Sequence, residues 1–255
     1  ATMVSLFSFR AGAPRSIPPG MGRATVSFPA PSKAAVVFVA LAAAASMLAM
    51  PFEASGAQSS ESRDWPVYNG DSNGDHYSPL ARINRQNVTG LRVAWQFDTG
   101  EEGGLETNPL VIAGVVYANT PGRKVVALDA VSGKLLWKFD SGIPGKGTVR
   151  GVAYWTDGRQ PRIFSAVNNF LYALNASDGK PIQQFGEGGR IDLRKDLDRD
   201  YRQQSITLTS PGVIYKDLII VGGMVSEDHP APPGDIRAYD VRTGALRWAF
   251  HTIPH

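Results

Sequence analysis

Short runs of apolar residues alternate with polar residues along much of the chain, and some of these runs belong to a repeated phrase. The phrase reads VVALDAVSGKLLWKFD at 125–140, LYALNASDGKPIQQFG at 171–186 and IRAYDVRTGALRWAFH at 236–251. Each copy has an apolar, β-prone run, an Asp or Asn, a turn that ends in Gly, and a second run. This pattern predicts a β-hairpin, because the Asp or Asn side chain can bond the turn backbone and Gly accepts a positive φ.

The three copies agree at fixed distances from their glycines, which are Gly133, Gly179 and Gly244. An Ala lies six residues before each glycine, an Asp or Asn lies four before, and a Phe lies six after. Trp137 and Trp248 lie four residues after the glycine, where the middle copy has Gln183. We expect this large aromatic residue to pack against the neighbouring copy. Spacings of 46 and 65 residues between the copies are typical of stacked or radial repeats.

Further strands are predicted ahead of each hairpin, at roughly 109–119, 151–167 and 211–225. Each repeat is therefore expected to be a four-stranded antiparallel sheet, the unit from which β-propellers are built. The predicted fold is all-β, a partial β-propeller of about three blades with flanking strands. An open solenoid and a β-sandwich are the alternatives.

Composition agrees with a turn-rich β protein, since the chain has 27 Gly, 18 Pro and 43% hydrophobic residues. The formal net charge of +3 comes from the first 57 residues, and the remainder carries 22 basic and 22 acidic side chains. Equal numbers of basic and acidic side chains in residues 58–255 give no electrostatic argument for a nucleic-acid partner.

The first 57 residues are predicted to be a leader, separate from a propeller domain at 58–255. An apolar run from Ala34 to Met50 follows Arg23 and Lys33 and precedes the small residues ASGA. This order is typical of an export signal that is cleaved, here after about Ala57, and it predicts a periplasmic protein. The alternative is an uncleaved leader that associates with the membrane. The chain has no cysteine, so export is not supported by a disulfide framework.

The repeated phrase, with DWPVYNGDSNGDHYSPLARIN at 64–84 and the intervening LETNPLV, VRGVAYW and TLTSPGV, resembles the quinoprotein dehydrogenases, which use pyrroloquinoline quinone (PQQ). The resemblance covers about 64–255 and is strongest to the glucose, sugar and polyol branch. It implies part of an eight-bladed propeller with PQQ on its axis. A non-enzymatic exported propeller scaffold, of the outer-membrane assembly type, is the alternative from another class.

The resemblance implies four residues that contact the cofactor. PQQ carries three carboxylates, which favour an arginine fork and hydroxyl donors. Arg150 in VRGVAYW, Glu106 in LETNPLV and Thr209 in TLTSPGV match family positions at the cofactor, with Thr207 as a competing register. Gly223 matches a small residue that lies against the quinone. Each of these residues has an ordinary strand or loop role as its alternative.

The resemblance also implies a calcium ion, which prefers oxygen ligands. Glu227 matches a family ligand of this ion, and Asp228 is the alternative by one residue. Both could instead be loop acids that face water. The four histidines lack the spacing of a zinc site.

The family's catalytic aspartate would lie beyond His255, so no catalytic residue is predicted here, and the chain is expected to be an inactive fragment. Vicinal cysteines of the methanol-type enzymes are absent before VRG. The implied function is oxidation of a sugar, polyol or alcohol hydroxyl, with electrons passed to cytochrome c or ubiquinone.

Overall fold

The computed structural model describes residues 7–10, 64–145, 147–197, 200, 204–228 and 231–253. Strands dominate this part of the chain, which has one 3-10 turn at Val88–Gly90 and no α-helix. No helix among these residues is long and apolar enough to cross a membrane. The predicted leader run at 34–50 lies outside the described residues.

Two strands precede the repeats and pair in parallel, β1 at Phe7–Arg10 and β2 at Trp95–Asp98. Strand β1 belongs to the stretch predicted as a leader. The domain boundary near residue 57 stays a prediction, because the residues around it are outside the described ranges.

Three four-stranded antiparallel sheets follow. The first sheet contains β3 (Leu110–Ile112), β4 (Val115–Asn119), β5 (Val125–Asp129) and β6 (Leu135–Phe139), paired in chain order. The second contains β7 (Ala153–Trp155), β8 (Arg162–Val167), β9 (Phe170–Asn175) and β10 (Arg190–Asp192). The third contains β12 (Val213–Tyr215), β13 (Leu218–Val221), β15 (Ile236–Asp240) and β16 (Leu246–Phe250). Two short strands, β11 (Ile206–Thr207) and β14 (Met224–Val225), pair with each other outside the three sheets. In sequence, β11 precedes the third sheet and β14 lies between β13 and β15.

The turn chemistry predicted for the repeated phrase is confirmed in all three copies. Asp129 Oδ1 accepts hydrogen bonds from the Ser132 N–H at 2.7 Å and the Ser132 hydroxyl at 2.6 Å. Asn175 and Asp240 make the equivalent bonds in the other copies. The following glycines have φ between 71° and 74°, a region that glycine enters without the strain of a side chain.

The second copy departs from the prediction at its second run. Residues 181–186 do not form the outer strand, which is supplied instead by β10. Pro181 begins the run and makes only a single bridge with Leu174, because proline has no N–H to extend a ladder. Phe185 is nevertheless fully buried, as its place in the repeat predicts.

Neighbouring sheets cover one another through the aromatic residues of the phrase. Trp137 of the first sheet lies on the turn of the second, where its Nε1–H donates to Ala176 O at 2.9 Å. A β-carbon at Gly179 would be 2.4 Å from the Trp137 ring, so only glycine allows this approach. Trp95 packs in the same way on Gly133 and donates to Ala130 O at 3.1 Å. The predicted contact between copies is confirmed for Trp137, whereas Trp248, at the same position of the third copy, is 41% exposed.

The apolar core lies between these sheets. One cluster joins the first and second sheets through residues such as Leu110, Phe139 and Leu174, and another joins the second and third through Phe164 and Ile219. The sheet faces are therefore buried against each other, which confirms the partial propeller.

Asp240, in the turn of the third sheet, gives a pH-dependent contribution to stability. Burial acts to raise its pKa, but hydrogen bonds from Arg247, Thr243 and the Arg242 N–H outweigh it and lower the pKa to about 2. A carboxyl with a depressed folded-state pKa stabilises the fold above its ordinary pKa of 3.8 and loses this effect as pH falls toward 2.

We expect Asp240→Asn to lose about 2 kcal/mol of unfolding free energy at pH 7 but less than about 1 kcal/mol at pH 2.5, because the carboxyl is then almost fully protonated in the unfolded state and partly protonated in the folded state. Urea unfolding of both proteins at pH 7, 4 and 2.5 measures this convergence. A difference that stays constant across this range would contradict the assignment.

Candidate cofactor site

The first strands of the three sheets begin side by side through main-chain hydrogen bonds. The Asn108 N–H donates to Arg150 O at 3.1 Å, and the Arg150 N–H donates to Thr209 O at 2.9 Å. Gly151 allows the first contact, because it has a φ of 135° and a β-carbon there would be 2.7 Å from Asn108 O. The phrases LETNPLV, VRGVAYW and TLTSPGV, which are far apart in sequence, thus meet along one line.

Arg150 and Thr209 are brought into direct contact. The exposed Arg150 side chain donates from Nη1 to Thr209 Oγ1 at 3.4 Å, across 59 residues of sequence. Thr207, the competing register, lies instead in β11 and pairs with Met224. The geometry therefore favours Thr209 over Thr207 as the residue that acts together with Arg150.

Glu106 is exposed and lies two residues before Asn108, at the same end of the sheets. It lines a smaller cavity of about 440 Å³ together with Thr107, Asn119 and Thr148. Asn119 was not predicted from sequence. Its side chain is buried between two sheets, where Nδ2 donates to Ser165 Oγ at 2.9 Å. No sequence signal separates it from a strand-end asparagine.

A second acid of the smaller cavity, Glu101, has a structural role. Burial acts to raise its pKa, but hydrogen bonds with Thr120 and the Gly122 N–H and the Lys124 ammonium hold the pKa below its ordinary value. The Lys124 Nζ lies 3.2 Å from Glu101 Oε1 and 3.1 Å from Asp140 Oδ2. Glu101 therefore ties its loop to the turn between β4 and β5, and its carboxylate is already engaged.

A larger cavity of about 980 Å³ lies along the first strands of the second and third sheets. Thr209, Gly223 and Met224 line one part of it, and Pro66–Gly74 lines another. This last stretch is held by Trp65, whose main chain pairs with Val111 at 2.7 and 3.1 Å. The DWPVYNGD segment quoted from the sequence is therefore a wall of the cavity.

Gly223 packs against the buried Ile206 side chain. A β-carbon there would be 2.5 Å from Ile206 Cδ1, so a larger residue would require this side chain to shift. Gly223 and Thr209 line the same cavity, whereas Glu106 lines the other. The structure thus brings Arg150 and Thr209 into contact and places Gly223 beside Thr209.

Glu227 and Asp228 follow β14 and are exposed, and the Asp228 N–H donates to Ser226 Oγ at 3.1 Å. Across the described residues, no group of three or more His, Asp or Glu side chains could hold a metal ion. In the described part of the chain, Glu227 and Asp228 are therefore exposed carboxylates outside any cluster of three such groups.

The Trp in VRGVAYW has a structural role. Trp155 lies between two guanidinium groups, with Arg242 Cζ 4.6 Å and Arg162 Cζ 5.7 Å from its ring centroid. Arg162 also donates to Val241 O at 2.8 Å and to Arg242 O at 2.9 Å. These contacts join the second sheet to the third. Arg150 and Thr209 precede the first strands of these two sheets.

Residues 65–255 match the model of the PQQ family described as glucose/ethanol/alcohol dehydrogenase, beta-propeller domain. The chain belongs to this family. It is 33% identical over 223 residues to quinoprotein glucose dehydrogenase A of Acinetobacter calcoaceticus, covering 74% of this chain and 28% of the relative. It is 37% identical over 200 residues to the dehydrogenase subunit of the quinone alcohol dehydrogenase of Gluconacetobacter polyoxogenes, covering 75% and 26%.

Among solved structures, the chain resembles the quinohemoprotein alcohol dehydrogenase of Comamonas testosteroni, with a TM-score of 0.63 and 26% identity. The match covers 78% of this chain and 28% of that one. The chain therefore spans little more than a quarter of the length of these relatives. The predicted family is confirmed, and the family match favours an enzymatic interpretation over a scaffold.

The residues at Arg150 fit the cofactor that the family implies. PQQ is a flat quinone with three carboxylates, and an arginine has five N–H donors in a planar fork. Among the described residues, the exposed Arg150 side chain makes one hydrogen bond, to Thr209 Oγ1. The larger cavity is within the size range of cofactor pockets. This donor set suits a carboxylate ligand.

Proposed function

We propose that this chain forms part of the PQQ-binding propeller of a dehydrogenase that oxidises a hydroxyl group of a sugar, polyol or alcohol. The observation that supports it best is the hydrogen bond from Arg150 to Thr209, which itself lines the larger cavity. PQQ, when bound, supplies the two-electron oxidising chemistry, and the protein binds and orients it.

Each predicted residue has a task that follows from its hydrogen-bonding capacity. The remaining N–H groups of Arg150 would hold a PQQ carboxylate. Thr209 Oγ1 accepts a bond from Arg150, so its own hydroxyl hydrogen would be left to donate to the ligand. Glu106, which as an ionised carboxylate only accepts, would receive an N–H or O–H of the bound group. Gly223 would leave room at the cavity wall.

Calcium, the electron acceptor and the location belong to the same proposal. Glu227 would contribute one carboxylate to a calcium ion that neutralises charge on the cofactor. Reoxidation of PQQ by cytochrome c or ubiquinone agrees with export to the periplasm, which the apolar run at 34–50 favours. The sugar and polyol preference rests on the inter-repeat phrases.

The test is a titration of the gene product that contains this chain with PQQ, with and without Ca²⁺. We expect a saturable complex, measured by quenching of tryptophan fluorescence and by mass spectrometry of the native protein. The loaded protein should then reduce a dye acceptor with an aldose, a polyol or a primary alcohol. A gene product that binds no PQQ would overturn the proposal, and one that binds PQQ but oxidises none of these substrates would overturn the reaction.

A further inference from the structure

Arg123 is a buried arginine outside the pair of Arg150 and Thr209. It lies in the turn between β4 and β5, where its N–H donates to Thr120 O at 2.9 Å. Its φ of 62° is unusual for a residue with a side chain, and its exposure is only 2%. Arginine is seldom buried and seldom adopts a positive φ, so its side-chain contacts are expected to explain why it occupies this position.

The Arg123 side chain contacts the loop that precedes Arg150. Its Nη2–H donates to Thr148 O at 3.4 Å, two residues before Arg150. The backbone of Gly145 lies directly on its stem, since a β-carbon at Gly145 would be 2.6 Å from Arg123 Cδ. Gly147 passes close to the guanidinium, with its β-carbon position 3.8 Å from Nη2. Gly145, Gly147 and Thr148 therefore all lie against the Arg123 side chain.

Few hydrogen bonds offset the cost of burying the Arg123 guanidinium among the described residues. Its Nε and Nη1 atoms are buried and have no hydrogen-bond partner among the described residues. Burial lowers the pKa of Arg123, which shows that its environment disfavours the charge. A buried charge without a partner destabilises a fold, whereas a neutral side chain of similar size would not. Global stability therefore does not explain this residue.

We propose that Arg123 is a positioning residue, which holds Gly145, Gly147 and Thr148 on the path that places Arg150 beside Thr209. The effect on the cofactor rests on the proposed function, in which Arg150 binds PQQ. The effect on the loop depends only on the contacts of Arg123 with Gly145 and Thr148. These two parts give separate readouts.

The test compares Arg123→Met with the wild type, because methionine keeps an unbranched stem beneath Gly145 but removes the charge and the bond to Thr148. Hydrogen exchange followed by mass spectrometry should be about tenfold faster for the peptide at 142–152, since one hydrogen bond to a charged group is lost. Exchange at 162–175, in β8 and β9, should not change. The thermal midpoint should stay at or above the wild-type value, because an uncompensated buried charge is gone.

PQQ affinity should fall about tenfold in Arg123→Met, which corresponds to the loss of ordered placement of Arg150. Arg123→Lys should restore slow exchange at 142–152, because a single donor to Thr148 O suffices where the other N–H groups have no partner. Arg159→Met, at an exposed turn, is the matched control and should change none of these quantities.

The outcomes separate the inference from the proposed function. Faster exchange throughout the protein, together with a lower thermal midpoint, would show that Arg123 is an ordinary structural residue and would overturn the inference. Local loosening with unchanged PQQ affinity would overturn its link to Arg150. If the wild type binds no PQQ, the proposed function fails, while faster exchange confined to 142–152 would still support the positioning of the loop.

Discussion

Arg150→Gln is expected to weaken PQQ binding about 100-fold, by far the largest effect on the cofactor among substitutions in this chain. Replacing guanidinium by a neutral amide would remove the proposed charge-assisted contact with a PQQ carboxylate, which is worth about 2–3 kcal/mol when it is bidentate. The main-chain bonds of residue 150 to Asn108 and Thr209 do not depend on its side chain and should remain. Because the side chain is exposed, the thermal midpoint should change little. Fluorescence titration with PQQ measures the affinity.

Two further variants make this prediction specific. Thr209→Val should remove the hydroxyl that accepts from Arg150 Nη1, and its effect should be less than additive with that of Arg150→Gln, because the two side chains act together. Arg159→Gln removes an exposed arginine from another turn and should leave PQQ affinity unchanged. Equal affinities for the wild type and Arg150→Gln would assign Arg150 to the ordinary surface role that the sequence left open.

Trp137→Ala is expected to lower the free energy of unfolding by about 2–3 kcal/mol, somewhat less than the cost of truncating a fully buried aromatic residue, because Trp137 is partly buried. The ring fills the space over Gly179, and its N–H bonds Ala176 O in the next sheet. Its loss opens the contact between two sheets and leaves a buried carbonyl with one partner fewer. Urea unfolding followed by circular dichroism measures the change.

The chain contains matched controls for this prediction. Trp248 occupies the same position of the repeat but is 41% exposed, so Trp248→Ala in this chain should cost about 1 kcal/mol or less. Gly179→Ala should disrupt the same contact, because the added β-carbon would overlap the Trp137 ring. Gly142 has nearly the same φ, 71° against 72°, and open space around it, so Gly142→Ala measures the backbone strain alone. Equal losses for the two glycine variants would contradict the packing role of Trp137.

The order of the fold explains why the candidate site forms where it does. The packing of Trp95 and Trp137 on neighbouring turns fixes the spacing of the sheets. The first strands of adjacent sheets are then close enough for the bonds from Asn108 to Arg150 and from Arg150 to Thr209. Side chains at these strand starts, rather than residues adjacent in sequence, are therefore brought together.

The sequence by itself determined the features that depend on local chemistry. An Asp or Asn followed four residues later by Gly specifies the hairpin turn, since both the side-chain bond and the positive φ involve residues within the turn. The recurrence of Trp at one offset predicted the contact between copies, and the phrases between copies identified the family. The prediction that residues 181–186 form the outer strand of the second sheet was wrong, because Pro181 interrupts a run that otherwise keeps the pattern.

Only the tertiary structure decided which residues act together. Thr207 and Thr209 are equivalent in a strand-like phrase, and pairing with Arg150 across 59 residues separates them. Arg123 looks like a surface residue of a polar turn, yet a loop more than twenty residues later covers it. Such contacts depend on how sheets are placed relative to one another, and this placement is set by the summed packing of many distant residues rather than by any local pattern.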